Sequence, residues 1–171
     1  TAIVATRLLE AAAESGVKIP RTAVERGLAA AEWPARLELL SLEGGRRVLL
    51  DAAHNPEGAR ALADYLRRWH PERPPLVIGV MKDKNVADIA RALLPVVSSV
   101  VATAAPTPRA IPAPDLARQL RAAGASDVRI EPDPNVAIET ALERTDVVCV
   151  AGSIFLAGAV RDRLRQRAIL R

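Results

Sequence analysis

The residue types that do chemistry are scarce in this sequence, and several of them crowd into one short stretch. Val48-Leu49-Leu50 is an apolar run, and it ends in Asp51-Ala52-Ala53-His54-Asn55-Pro56. A carboxylate, an imidazole and an amide therefore leave a strand together and enter a turn before a helix. In an α/β sheet such turns build the ligand site at the carboxyl edge of the strands. Asp51 and His54 read either as an acid–base pair or as residues that hold the turn by hydrogen bonds. Pro56 suits the first helical turn, where its missing N–H costs nothing, and Asn55 suits the N-cap before it. Two further segments share this character. Met81-Lys82-Asp83-Lys84-Asn85 carries two of the three lysines, and Gly152-Ser153-Ile154-Phe155 places a serine before an apolar helix. Ser153 reads equally as an N-cap and as part of an anion site at a helix N-terminus.

These segments need elements that bring them to one place. Leu37, Leu39 and Leu42 interleave with Glu38, Ser41 and Glu43, which predicts a strand, and Gly44-Gly45 turns it into Arg47–Leu50 as a hairpin. Helices are predicted near 57–69, 86–94, 113–123, 134–143 and 154–167, alternating with strands at 76–80, 99–103, 128–131 and 147–151. The alternation predicts βαβ units in a Rossmann-like three-layer α/β sandwich with a mostly parallel sheet. Right-handed crossovers then put the carboxyl ends of the parallel strands on one edge, where residues 51–55, 81–85, 103–109 and 152–155 meet. Ahead of this, Ile3, Val4, Leu8 and Leu9 give a helical stripe over 2–15, with Gly16 as its stop. Thr22 followed by Glu25 predicts a capping box and a helix to about residue 31. The abrupt start at Thr1 suggests that the chain begins within a longer protein. Residues 1–35 then read as the end of a preceding, truncated domain plus a hinge, and 36–171 as a separate domain.

Composition narrows the partners. The net charge is +4, but Arg is scattered among Asp and Glu and aromatics make up only 2%. A single-strand binder would need a basic stripe with stacking rings, so nucleic acid is disfavoured. The Arg-rich tail from Arg161 to Arg171 reads as a solvated final helix with cations near its C-terminal end. No apolar run reaches membrane-spanning length, and no signal peptide is visible. The single Cys149 lies in the apolar run Val147-Val148-Cys149-Val150. It has no partner for an intrachain disulfide, in keeping with a reducing cytoplasm. There is no Walker loop, Gly-x-Gly-x-x-Gly or nucleophile elbow. One Cys and two His give no metal cluster, so no metal ligand is assigned.

Four motifs, in order, resemble the carboxyl-terminal domain of folylpolyglutamate synthase/dihydrofolate synthase in the Mur ligase superfamily. Trp33-Pro34-Ala35-Arg36-Leu37-Glu38 resembles the hinge motif, and Leu50-Asp51-Ala52-Ala53-His54-Asn55-Pro56 the Asp-Gly/Ala-Ala-His-Asn-Pro turn. Gly79 to Asn85 resembles the Gly-x-x-x-Asp-Lys-Asp loop, and Ala151 to Leu156 the Gly-Ser-Leu-Tyr/Phe-Leu turn. Ala35 stands where the family has Gly, which stiffens the hinge, and Asn85 stands where it has Asp.

The resemblance implies an ATP-dependent ligase that adds L-glutamate to dihydropteroate or a folate through an acyl phosphate. Its P-loop and Mg²⁺ site would lie on a central ATPase domain outside this chain, leaving the fragment inactive alone. It further implies that Arg36 reaches the γ-phosphate and Asp51 holds the ribose. His54 and Asn55 would line the nucleotide or glutamate side, with Arg36 and His54 as the catalytic pair. Lys84 would meet a glutamate carboxylate, Ser153 would contact the same substrate, and Lys82 would flank them. The full-length enzyme is expected to be a cytoplasmic monomer whose ligands are small molecules. The alternative reading is a free-standing α/β small-molecule-binding module without ligase activity.

Overall fold

The computed structural model describes residues 2–31 and 33–168. Thr1, the expected starting point, and the end of the Arg-rich tail lie outside the described residues, as does Glu32. The chain divides into two compact units, Thr1–Pro34 and Ala35–Arg171.

The first unit is a pair of helices, α1 (Ala2–Glu14) and α2 (Arg21–Ala29). Gly16 ends α1 with φ +92°, and the Gly16 and Val17 N–H groups return to the Ala13 and Ala12 carbonyls. This pairing satisfies carbonyls that the last turn would otherwise leave open. The expected capping box at Thr22 does not form. Pro20 is the N-cap, without a side-chain cap bond, and Glu25 Oε1 instead accepts from Arg21 Nε at 2.6 Å. None of the described residues of this unit is buried, and Ile3, Val4, Leu8, Val17, Leu28 and Trp33 are all exposed.

The second unit is a six-stranded sheet with helices on both faces. Its strands are β1 (Glu38–Ser41), β2 (Arg47–Leu50), β3 (Leu76–Ile78), β4 (Val100–Ala102), β5 (Val128–Ile130) and β6 (Val147–Ala151). The order across the sheet is β1-β2-β6-β3-β4-β5. Only β1 runs antiparallel, pairing Glu38 with Leu50 and Ser41 with Arg47. The hairpin turn is the predicted one, with Gly44 at φ +73° and Gly45 at φ +80°. Strand β1 begins one residue later than the alternation suggests, because Leu37 has φ +52° and is not extended.

Helices α3 (Pro56–Trp69), α4 (Val86–Leu93) and α5 (Ala113–Ala122) share one buried cluster with Leu49, Leu76, Ile78, Val100, Ala102, Cys149 and Ala151. Helices α6 (Pro134–Leu142) and α7 (Ile154–Arg167) share another with Val48, Leu50, Val77, Val101, Val148 and Val150. Alternate strand residues feed opposite layers, as the two-residue period of a strand requires. The result is the three-layer α/β sandwich with a mostly parallel sheet that the sequence predicts. Leu62 and Leu66 carry the buried stripe of α3, and truncating either to Ala would cost about 2–5 kcal/mol. Chain order steps outward through β3, β4 and β5, then returns on the opposite face to insert β6 between β2 and β3. In α/β sheets such a reversal marks the place outside the carboxyl ends of the strands where ligands bind.

Candidate active site at the carboxyl edge

Six loops meet this edge. They follow β2 (51–55), β6 (152–153), β3 (79–85), β4 (103–112) and β5 (131–133), and the sixth is the turn 35–37 that precedes antiparallel β1. Arg36, His54, Asn55, Ser153, Lys82 and Lys84 therefore lie along one edge of the sheet. Each has a distinct local arrangement.

Asn55 is the N-cap of α3, and its Oδ1 accepts from Gly58 N at 2.7 Å. His54 Nδ1 lies 2.9 Å from the Ala52 carbonyl. A carbonyl only accepts, so in the neutral ring Nδ1 carries the proton and Nε2 keeps its lone pair. Ser153 is almost fully buried and caps α7, its Oγ accepting from Phe155 N at 3.0 Å. Gly152 before it has φ +106°, and a Cβ there would lie 2.7 Å from the Gly79 carbonyl oxygen. Only Gly lets the β6 and β3 loops approach this closely.

Asp51 does not project into open space. It is 7% exposed, with Oδ2 accepting from Leu37 N at 3.0 Å and Oδ1 from Ala53 N at 2.8 Å. Burial pushes its carboxyl above the ordinary 3.8, against the pull of those two N–H groups and the Arg36 charge. Its geometry is that of a clasp between the turn at 37 and the end of β2.

The turn that carries Arg36 is strained. Ala35 has φ +54° and Leu37 φ +52°, conformations that cost non-glycine residues about 1–3 kcal/mol each. Ala35 occupies the position that is Gly in the resembling motif, and its methyl is buried. Three contacts hold this backbone besides Leu37–Asp51. Ala52 N donates to the Ala35 carbonyl at 2.8 Å. Ala35 N donates to Glu38 Oε2 at 2.9 Å, and Arg161 Nε donates to the same oxygen at 2.8 Å. Burial alone would raise the Glu38 carboxyl, but the Arg161 and Ala35 hydrogen bonds outweigh it and hold it below the ordinary 4.5. Between these anchors the Arg36 side chain is exposed.

The β3 loop is cationic. Lys84 Nζ sits 3.0 Å from Asp83, which it holds below the usual carboxylate range. Lys82 Nζ donates to the Pro108 carbonyl at 2.8 Å, tying this loop to the β4 loop. Asn85 caps α4 by accepting from Asp88 N at 3.1 Å. The sequence reading put 103–109 on this edge but gave no role to Arg109, whose guanidinium lies 3.7 Å from Asp83 and 5.9 Å from the Phe155 ring centroid. It also gave no role to Glu38 or Arg161. Neither type is rare in this chain, so no compositional signal singled them out, and their pairing spans 123 positions.

The charge pattern of the edge suits a polyanion. Arg36, Lys82, Lys84 and Arg109 are its cations, while Asp51 is turned inward, Asp83 is exposed between two of those cations, and Asp133, after β5, is taken up by the N-cap of α6. Among the described residues no group of three or more His, Cys, Asp or Glu is placed to hold a metal. No described helix is long and apolar enough to cross a membrane.

Residues 35–154 match the model of the Mur ligase, glutamate ligase domain family. The folylpolyglutamate synthase of Lacticaseibacillus casei is 31% identical over 153 residues, covering 82% of this chain and 32% of that protein. The crystal structure of folylpolyglutamate synthase from Thermotoga maritima superposes on 99% of this chain with TM-score 0.80 and 34% identity, and 38% of that chain is covered. Mycobacterium tuberculosis folylpolyglutamate synthase, complexed with ADP and AMPPCP, gives TM-score 0.76 and 32% identity over 92% of this chain and 38% of its own. The chain thus spans about a third of the length of these relatives. With the family model covering the sheet, its carboxyl-edge loops and the strained turn alike, this chain belongs to the Mur ligase glutamate ligase domain family.

Proposed function

We propose that this chain is the carboxyl-terminal domain of an ATP-dependent ligase that joins L-glutamate to dihydropteroate or a folate. The observation that carries the proposal is the carboxyl edge, along which Arg36, His54, Asn55, Ser153 and Lys84 lie on four loops beside further cations. In the reaction, a substrate carboxylate attacks the γ-phosphate of ATP and ADP leaves. The glutamate amine then displaces phosphate from the acyl phosphate and loses a proton. Most of the rate gain in such chemistry comes from positioning and charge stabilisation.

Arg36, exposed on a fixed turn, meets the γ-phosphate. His54 offers its Nε2 lone pair to the incoming amine, and Asn55 lines the nucleotide side. Lys84, with Lys82 beside it, takes a glutamate carboxylate, and Ser153 fixes the approach of the same substrate through the start of α7. Asp51 keeps a second lone pair on each oxygen, and a ribose hydroxyl uses one of these while the backbone bonds persist. The ADP and AMPPCP bound by the Mycobacterium tuberculosis relative support a nucleotide here. The donor set of the edge suits phosphates rather than a cation, so Mg²⁺ belongs to residues of the parent enzyme beyond this chain. We place that enzyme in the cytoplasm as a monomer, with residues 1–35 as the end of its central domain plus the hinge and 36–171 as its last domain.

The test is a ligation assay on the full-length product of the gene, with ATP, glutamate and either dihydropteroate or tetrahydrofolate. Glutamate-dependent ADP release with one or both acceptors is expected. Absence of ligation with both, from a folded protein, would sink the reading. The isolated 171-residue chain is expected to give none.

A further inference from the structure

We propose that the Glu38–Arg161 ion pair is a positioning device for Arg36, acting through the backbone of the turn that carries it. The inference rests on the reading of Arg36 as the phosphate-binding group. Arg36 is flanked by two residues at positive φ, Ala35 and Leu37, and neither is a Gly or Asn that adopts that region readily. Such a turn persists only where its surroundings over-determine it. Asp51 holds the Leu37 side. Glu38 holds the Ala35 side, and a single oxygen, Oε2, takes both the Ala35 N–H and Arg161 Nε. The guanidinium therefore fixes the carboxylate that fixes the strained backbone.

This pair differs from the surface pairs of the molecule. Both side chains are 18% exposed, whereas Arg7–Glu10 and Arg60–Glu57 are largely in water. A shielded pair adds little net stability over an apolar replacement, and its attested value is in specifying geometry. Removing Arg161 would leave Glu38 a shielded charge without its fixed donor, and the carboxylate would turn toward water and release Ala35. Arg161 also lies eight residues after Ser153 on α7, about 12 Å along one rigid helix. One element thus sets both the Arg36 turn and the Ser153 cap.

Two measurements test this. In the 171-residue chain, amide exchange at Ala35 is followed in wild type, Arg161→Met and Arg161→Lys, with Leu49 as the core control. Arg161→Met is expected to speed Ala35 exchange about tenfold or more while Leu49 is unchanged, with Arg161→Lys between. Unchanged Ala35 exchange, or equal acceleration at Leu49, overturns the proposal. In the full-length product of the gene, kcat and the KM for ATP are measured for Arg36→Ala, Arg161→Met and the charge swap Glu38→Arg/Arg161→Glu. The swap restores an ion pair but removes the acceptor for Ala35 N–H. It is expected to recover melting temperature but not turnover, which falls about tenfold or more in Arg161→Met. A swap that recovers turnover overturns the proposal. If Arg36→Ala retains wild-type turnover, the phosphate reading of Arg36 fails, and Ala35 exchange still judges the clamp. If Arg36→Ala loses turnover and Arg161→Met keeps it, the positioning inference alone fails.

Discussion

At the scale of single residues, Asp51 carries the sharpest consequence. A surface carboxylate could become an amide at little cost to stability. Here each oxygen faces a backbone N–H, from Leu37 and Ala53. In Asp51→Asn one of those oxygens becomes an NH₂ pointed at a donor, and a nearly buried N–H loses its acceptor. We expect a loss of about 1–3 kcal/mol in urea unfolding of this chain and, under the proposed function, a raised KM for ATP in the full-length protein. Amide exchange at Leu37 no slower in wild type than in Asp51→Asn would show that the clasp is not formed in solution. The types and spacing of Asp51, His54 and Asn55 were legible in the sequence, because an apolar strand running into polar residues and Pro56 is a local pattern. The direction in which Asp51 points was not, because it depends on Leu37, 14 positions away.

At the scale of elements, the turn after β6 and the clamp on the turn before β1 invite separate tests. Gly152→Ala would force a Cβ against the Gly79 carbonyl and Ile78 at a φ that side chains avoid. Overpacking and backbone strain together predict a loss of about 2–4 kcal/mol, read as a lower unfolding midpoint. Ser153 should shift with it, and under the proposed function ligation by the full-length protein should fall as well. An unchanged midpoint would mean that the two loops separate freely.

The clamp should respond to acid. The Glu38 carboxyl lies below its ordinary 4.5 in the folded chain. Its contribution to stability is therefore fully present above that ordinary value and is lost as pH falls through the lowered one. Asp51 runs the other way. Its folded value is raised, so its ionisation weakens the fold at neutral pH and acid relieves that penalty. The comparison that isolates Glu38 is wild type against Glu38→Gln. The stability gap between them should close as pH falls from above the ordinary 4.5 through the lowered value of the folded chain, and a gap independent of pH would refute the ion pair. Most elements could be read from periodicity, and the start of α2 shows where local rules end. Thr22-x-x-Glu25 has the form of a capping box, but Pro20, with φ preset, starts the helix earlier and Arg21 draws the Glu25 carboxylate away.

At the scale of the whole molecule, the two units make different demands on their surroundings. The α/β unit closes its core on both faces of the sheet, and Cys149 lies at the centre of it. Burial pushes that thiol far above its ordinary range, so it cannot react as the thiolate in the native state. Labelling by an aromatic disulfide should proceed only as the sheet opens, at a rate that follows the stability of the unit across denaturant concentrations. Fast labelling in buffer would mean that β6 is not held as described. The parallel sheet could be read from the alternation of short apolar runs with amphipathic helices. The place of β6 was not legible: its apolar run gives a strand, and only the structure shows all five of its residues buried between both faces. Which strands it joins depends on pairings with β2 and β3 that no local pattern encodes.

That placement bears on how the protein is made. The strand that closes the middle of the sheet is the last of the six to leave the ribosome. Until Val147–Ala151 has emerged, β2 and β3 have no common neighbour, and each offers a bare edge on which a second nascent chain could pair. The core of this unit should therefore close abruptly, only once β6 has emerged. A chain stopped just before Val147 would be prone to aggregate.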